Sequence, residues 1–450
     1  MGHYVPHTDH EIAEMLAFMG LSSLDELFAS IPEALRLAAG DLPLRPGLSE
    51  FDALAEMQVL AAANRACGPD LICFAGAGAY DHEIPAAVPR LAFRSEFVTA
   101  YTPYQPEVAQ GVLQALFEYQ TLIARLAGLD AANASLYDGA SATVEAINLA
   151  VAATGRSEVW LSDGVHPTWR QVVHTFAAGS GHHLRAVSLV DGLTQWPSET
   201  ASPPGAVVVQ YPNFLGCLED LEAAASVARS TGALLIVAFD HVAAGILRSP
   251  GSYGADVVVG EGQPFGTPLS FGGPYLGLFA CRLEHIRRLP GRLVGETVDA
   301  DGRRAYVTTL RTREQDIRRE KASSNVCTNQ TLIAVCCAIQ LSWLGTGGLA
   351  ELALRCARAT RYTREALLRI DGVRPLANAP TFREFAVATP LDPATLVERM
   401  ADNGFLAGVP LGPGGLDAGE YGEGLLVAAT EKRTAAEIDA YVSAFEKVIR

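Results

Sequence analysis

The sequence predicts an α/β protein: a large domain built on a mostly parallel sheet, a smaller C-terminal α/β domain, and an N-terminal helical arm. Three observations carry this reading. From Ala134 to Ala280, short apolar runs alternate with helical patterns, the signature of a parallel sheet covered by helices on both faces. Within that region, the strand-like Ala233–Phe239 ends on Asp240-His241, and Asp256–Val259 runs into a loop dense in Gly and Pro that extends to Pro274. An open α/β sheet places its ligand at such strand ends. From about Ala350 the pattern restarts on a smaller scale, so the expected division is 1–100 (arm and loops), 101–345 (large domain) and 346–450 (small domain).

The elements follow in order. Thr8 or Asp9 can cap a first helix ending at Gly20, and Ser23 with Glu26 offers a capping box for a second. A third helix starts at Ser49 and ends near Asn64. Residues 70–105 are rich in loops. The Gly-x-Gly at Gly76–Gly78 lacks a third Gly and a clear preceding strand, so it is no dinucleotide fingerprint. Pro106 suits the first turn of a long helix to about Ala127, with Val112, Leu116, Tyr119, Ile123 and Leu126 on one face.

Helices are then expected at Ala142–Ala153, Pro167–Ala177 and Leu218–Thr231. Strands are expected at Val159–Leu161, Leu184–Leu189, Ala206–Tyr211, Ala233–Phe239, Asp256–Val259 and Tyr275–Cys281. Thr331–Leu344 is an apolar helix, and another runs from about Ala350 to Ile370. Strands at Arg383–Val387 and Gly424–Thr430, a helix at Pro393–Asn403 and a last helix capped by Thr434 with Glu437 complete the chain.

Composition excludes several classes. The 450 residues carry a net charge of −16, which argues against a nucleic-acid surface and an anionic membrane. No apolar stretch reaches the roughly 18 residues of a membrane span, and the N-terminus has no secretory pattern. The eight cysteines show no zinc-type spacing, so reduced cytoplasmic thiols and no metal are expected. Cys217 and Cys327 read as small core residues. Only three lysines occur, Lys321, Lys432 and Lys447.

Four constellations could carry chemistry. Around Gly139-Ala140-Ser141 a loop enters a helix, which suits a phosphate or a plain helix start with Ser141 as cap. Asp240 at a strand tip could hold a ligand nitrogen, as in pyridoxal-phosphate enzymes, or simply cap the next turn. His166, between a strand and a helix, can project into the same crevice or serve as a hydrogen-bonded loop residue. The charged run Arg311–Lys321 reads as a solvated, ion-paired segment or as an interface. Pyridoxal-phosphate enzymes of the aminotransferase-like fold carry a Lys in the loop after Asp256–Val259. Here that loop has Gln263 and no Lys.

Three longer stretches are more specific: Glu96–Gly111, Gly260-Glu261-Gly262-Gln263-Pro264 through Gly272-Gly273-Pro274, and Arg313-Glu314-Gln315 through Asn325-Val326-Cys327-Thr328. They resemble the P-protein of the glycine cleavage system, over essentially the whole chain. The likeness is to subunit 1, the N-terminal half of the two-subunit form. The resemblance implies an aminotransferase-like fold (fold-type I) and an oxidoreductase complex that decarboxylates glycine and passes the aminomethyl group to the lipoyl arm of H-protein. It implies a subunit 2 that carries the pyridoxal phosphate on its own lysine, two copies of each subunit, and a cytoplasmic location.

By the same alignment Gln263 stands where the partner has its lysine, Ser141 where the partner has a stacking His, and Asp240 at the ring-nitrogen acid. Gly139, Ser141, Asp240 and Gln263 would then line a vestigial pocket with no covalently held cofactor, since an amide forms no imine. Tyr101 and Tyr104 are candidates for a boundary shared with the partner's active site. The alternatives are a purely structural partner subunit, or an independent pyridoxal-phosphate enzyme using Lys321.

Overall fold

Seven segments pair into one sheet: β1 (Ala131–Ala132), β2 (Glu158–Ser162), β3 (His183–Val187), β4 (Ala206–Tyr211), β5 (Leu234–Phe239), β6 (Val257–Glu261) and β7 (Gly277–Cys281). The computed structural model describes residues 6–37, 42–98, 102–198 and 202–450. The sheet order is β1-β7-β6-β5-β4-β2-β3. Five neighbouring strands, β3 to β6 across β2, β4 and β5, run parallel. β7 is antiparallel to both β6 and β1. The architecture is therefore the expected mostly parallel one.

Alternation within the strands sorts the core into two layers. Val207, Val209, Leu235 and Val237 pack with Leu113 and Leu116 of helix Pro106–Ala127 and Ala224 of helix Leu221–Thr231. Val208, Ile236 and Ala238 pack on the other face, with Ala146 and Ile147 of helix Gly139–Thr154 and Val173 of helix Pro167–Ser180. Both faces of the central strands β4 and β5 are covered, which is why they read as nearly unbroken apolar runs. The long helix buries Val112, Leu116, Tyr119 and Ile123 as expected, whereas Leu126 is only partly buried.

The second sheet joins Arg374–Pro375, Glu384–Ala388, Gly424–Ala428 and Val409–Leu411 in that order, all antiparallel. Helices Pro393–Asp402 and Ala435–Ile449 cover it, and the ring of Phe74 stacks on Tyr441 at 4.0 Å. The short strand Ile72–Cys73 pairs in parallel with Phe405–Leu406.

Helix Thr331–Leu367 corrects one expectation: it is long and apolar enough to cross a membrane. It is broken at Gly345 (φ 59°), where Gly alone is at ease, and Val335, Cys336, Cys337 and Leu341 on it are buried in the core.

The chain divides into two compact units, Met1–Arg65 and Ala66–Arg450. In the first, Thr8 and Glu11 form a full capping box on helix Asp9–Met19. Ser23 makes no cap; Ser22 bonds Glu26 instead, and the segment Leu24–Phe28 is a 3-10 turn. Cys217 is a core residue, but Cys327 is exposed, contrary to expectation.

Candidate functional site

The parallel strands β2, β4, β5 and β6 end on one edge of the sheet, so the loops after them meet there. They enclose a cavity of about 50 Å³ whose walls include Tyr80, His166, Trp169, Phe239, Asp240, Glu261, Arg383 and Glu384. Small-molecule pockets run to roughly 300–1,000 Å³, so little room is left.

Asp240 caps the next turn and, in place of a ligand nitrogen, pairs with a side chain of the protein itself. Its Oδ1 accepts the Val242 N–H (3.0 Å), capping the turn, and its Oδ2 lies 2.7 Å from Arg383 Nε. Arg383 directly precedes the second-sheet strand Glu384–Ala388 and is buried with its guanidinium 3.5 Å from the Tyr80 ring centroid. Its Nη1 also faces His82 Nε2, while His82 Nδ1 lies 2.6 Å from Glu431 Oε2. A guanidinium can only donate, so His82 accepts at Nε2 and donates from Nδ1. Burial would raise the Glu431 carboxyl, but the His82 and Glu83 N–H groups outweigh it and hold it at about 2. Asp240, Arg383, His82 and Glu431 thus form one continuous polar chain.

The same logic bears on metals. The ligand atoms of His82, Cys356 and Glu431 lie within 4.8 Å of one another. With Arg383 fixing the proton on Nδ1, that nitrogen has no lone pair for an ion.

Glu261, at the end of β6, turns back into the structure. Its Oε1 accepts the Gln263 (3.0 Å) and Leu276 (2.9 Å) N–H groups, and its Oε2 accepts the Gly139 N–H (3.0 Å). A carboxylate of the chain itself therefore sits at the start of helix Gly139–Thr154, where an anion would go. Burial pushes Glu261 up to about 8 in spite of those donors. Gly139 has no alternative residue, because a Cβ there would lie 2.2 Å from Trp169. The helix is capped by Asp138, not by Ser141: the Asp138 side chain accepts the Ser141 N–H at 2.7 Å.

Gln263 is buried and fully used. Its Nε2 donates to Tyr80 O (3.1 Å) and Thr267 O (2.8 Å), and its Oε1 accepts the Tyr80 N–H (3.0 Å). It staples two loops together and is not among the cavity walls. His166 does reach the cavity, but its ring is committed. Nε2 donates to Ala77 O (2.9 Å), Nδ1 accepts the Thr168 N–H (3.1 Å), and burial lowers its pKa. It is a loop-fixing residue.

Glu384 is the group the sequence concealed. It accepts the Ala77 N–H (2.6 Å) and the Tyr80 hydroxyl (2.9 Å), and burial pushes it up to about 7. Its unfolded value is about 4.5, so the unfolded chain gives up this proton first as pH rises. Stability from this group is then full below about 4.5 and is lost as pH climbs to about 7. In urea titrations at pH 5 and pH 8, the Glu384→Gln variant is expected to show a smaller loss than the parent, by on the order of 2 kcal/mol. Equal pH slopes would refute the assignment.

Tyr101 lies outside the described residues. Tyr104 is half-exposed and is not a wall of the cavity. Its hydroxyl accepts from Arg292 Nη2 (2.8 Å), and Arg292 and Arg311 sit 5.0 and 5.1 Å from its ring centroid. Lys321 is exposed in a short turn of the charged run. Lys432 is tied to Asp81 at 2.7 Å.

The model of the "Glycine cleavage system P-protein" family matches residues 2–445. The chain belongs to that P-protein family. Among its relatives is a "Probable glycine dehydrogenase (decarboxylating) subunit 1" from Desulforamulus reducens, 47% identical over 443 residues and covering 97% of each chain. The protein of the same description from Prosthecochloris aestuarii is 47% identical over 444 residues, covering 98% of each. A crystal structure of a glycine decarboxylase (P-protein) in inhibitor-bound form superposes with a TM-score of 0.92 at 46% identity, covering 99% of this chain and 100% of that one. Alanine–glyoxylate aminotransferase from Nostoc sp., 17% identical with a TM-score of 0.59 over 86% of this chain and 97% of its own, shares the fold. The P-protein fold here is accordingly aminotransferase-like.

The P-protein crevice of this chain does not fit pyridoxal phosphate. It offers no amine, Glu261 takes the helix start that a phosphate would need, and Arg383 already pairs with Asp240.

Proposed function

We propose that this chain is the non-lysine subunit of a two-subunit glycine decarboxylase, an oxidoreductase of the glycine cleavage system. The observation that carries the reading is Gln263. It stands in the cofactor loop of a P-protein, yet its amide is spent on Tyr80 and Thr267 backbone. A subunit 2 with its own lysine then holds the pyridoxal phosphate, and glycine and the lipoyl arm of H-protein are substrates of the complex. A cytoplasmic assembly of two copies of each subunit follows from the same reading. The independent-enzyme alternative is disfavoured, because Lys321 is exposed and outside the cavity walls.

The arm supports a partner. The ten acidic and three basic residues of unit Met1–Arg65 make it strongly anionic, and only Leu16 of helix Asp9–Met19 and nothing in helix Glu50–Ala62 is buried. Phe18 (93% exposed) and Phe51 (80%) lie open. A surface of this kind marks an interface. Like charge disfavours a second copy of a −16 chain, so subunit 2 is the proposed cover.

The test is glycine–bicarbonate exchange with each chain alone and with both, after co-purification. Exchange only with both supports the reading. Exchange by this chain alone, with borohydride trapping pyridoxal phosphate on Lys321, overturns it.

Tyr104 is proposed to form part of the boundary shared with the partner's site, together with Tyr101. Tyr104→Phe removes one acceptor from Arg292, which keeps Asn329 and the Cys327 carbonyl. Exchange by the reconstituted pair is expected to fall roughly tenfold. An unchanged rate would leave the 102–110 turn only the task of starting its helix.

A further inference from the structure

Asp256, Glu284 and His285 gather at the edge of the large sheet opposite the crevice. Asp256 stands just before β6, whose far end carries Glu261, and the other two lie in the short turn Leu283–Arg288 after β7. Antiparallel pairing of Val257 with Cys281 brings the two segments together. The Asp256 N–H donates to Leu235 O (2.9 Å), its carbonyl accepts the Arg282 N–H (3.1 Å), and its Oδ2 accepts the Leu235 N–H (2.8 Å). The His285 N–H donates to Arg282 O (3.0 Å), which winds the turn.

Three donor atoms, one from each of these side chains, lie within 4.8 Å of one another. His285 is 7% exposed, yet its Nε2 meets no hydrogen-bond partner. Buried polar atoms are nearly always paired, so an unpaired imidazole beside two carboxylates marks a place for a ligand. Burial lowers the His285 pKa in spite of those carboxylates, so the ring is neutral at pH 7 and keeps a lone pair. His82 differs, since Arg383 fixes its proton. Arg282 is the competing cation. Its Nε is shared between Asp256 Oδ1 and Ala255 O, both at 3.2 Å, and its Nη2 donates to Gly254 O (3.0 Å). A well-formed charge-assisted bond is about 2.7–2.9 Å long, so Oδ1 keeps capacity for a second partner. Arg288, the other cation near His285, is exposed, as is Glu284.

We propose that Asp256, Glu284 and His285 bind a divalent transition-metal ion of the Zn2+ class, with water in its remaining positions. One imidazole and two carboxylates are a mixed nitrogen and oxygen set, which suits Zn2+ better than Ca2+ or Mg2+. Donors held at roughly 2.0–2.2 Å in a tetrahedron stand about 3.4 Å apart, so a small rotation of the exposed Glu284 side chain brings all three onto one ion. The set contains no cysteine, which is why cysteine spacing gave no sign of it. The ion clips the start of β6 to the turn after β7. Asp256 already joins β6 to β5 through Leu235, so three strands are tied at this edge, and the role is structural.

The test strips the full chain with a chelator, removes the chelator, and titrates ZnCl2 by isothermal titration calorimetry at neutral pH, beside Glu284→Gln and His285→Phe. Glu284→Gln changes one exposed group without changing its shape, and His285→Phe keeps a ring where Nε2 had no bond to lose. The parent is expected to bind one Zn2+ more than His285→Phe. Loss of even an outer partner of a metal costs roughly 10–100-fold in affinity, so Glu284→Gln is expected to hold that ion at least about tenfold more weakly. Zinc is also expected to raise the melting temperature of the parent and not that of His285→Phe. Equal stoichiometry and affinity in the parent and both variants would place the zinc elsewhere, such as on the exposed Cys327, and would overturn the proposal, as would no binding by the parent. Metal-free melting temperatures of both variants near that of the parent separate a lost ligand from a lost fold.

Discussion

Asp240→Ala is expected to cost about 3–5 kcal/mol of stability, because it strands a buried guanidinium. Arg383 is 5% exposed, its Nε is 2.7 Å from Asp240, and its other contacts are the Tyr80 ring and His82 Nε2. None of these replaces the lost negative charge. Urea denaturation of the parent, of Asp240→Ala and of Asp240→Ala combined with Arg383→Met distinguishes pairing from packing. The double variant, with no stranded charge, is expected to recover much of the loss. A single-variant loss below about 1 kcal/mol, the range of an exposed pair, would show that solvent reaches the pair and that the brace between the end of β5 and the second sheet is weak.

The paired substitution Phe18→Asp and Phe51→Asp is expected to abolish co-purification with a tagged subunit 2. Both rings are exposed on the two arm helices. Interface aromatics of this type each contribute on the order of 2 kcal/mol or more when they are binding hot spots, so the affinity is expected to fall at least a hundredfold. The residues of unit Ala66–Arg450 have their own core clusters, so the melting temperature of the isolated chain is expected to stay near that of the parent. Unimpaired co-purification would move the interface elsewhere, and a collapsed melting temperature would mean that the arm is covered by this chain's own fold.

Much of the site's frame was legible before any coordinates. Asp240 closes an apolar strand, and a parallel sheet brings the ends of such strands to one edge, whereas Glu261 was placed in the loop after Val259 and only the structure puts it at the end of β6. The lysine count alone excluded a covalent anchor in the Gly254–Pro274 loop. Other assignments needed geometry. Ser141 was read as a helix cap because hydroxyl residues favour that position, but Asp138, three residues earlier, had the competing carboxylate. Ser23 lost its capping box to Ser22 in the same way. Arg383 and Glu384 passed as ordinary strand residues, since nothing local distinguishes a buried charge from a solvated one.

By itself, then, the sequence determined the alternating α/β architecture, the family likeness and the missing amine, because each is written in residue type and short-range spacing. Only the tertiary structure decided that the crevice is filled from within. Glu261 reaches Gly139 across 122 residues, Gln263 reaches Tyr80 across 183, and Tyr80 reaches Glu384 across 304. Those bonds depend on which strand ends adjoin in the fold, and a buried carboxylate or guanidinium takes its partner from whatever the fold brings within hydrogen-bonding distance.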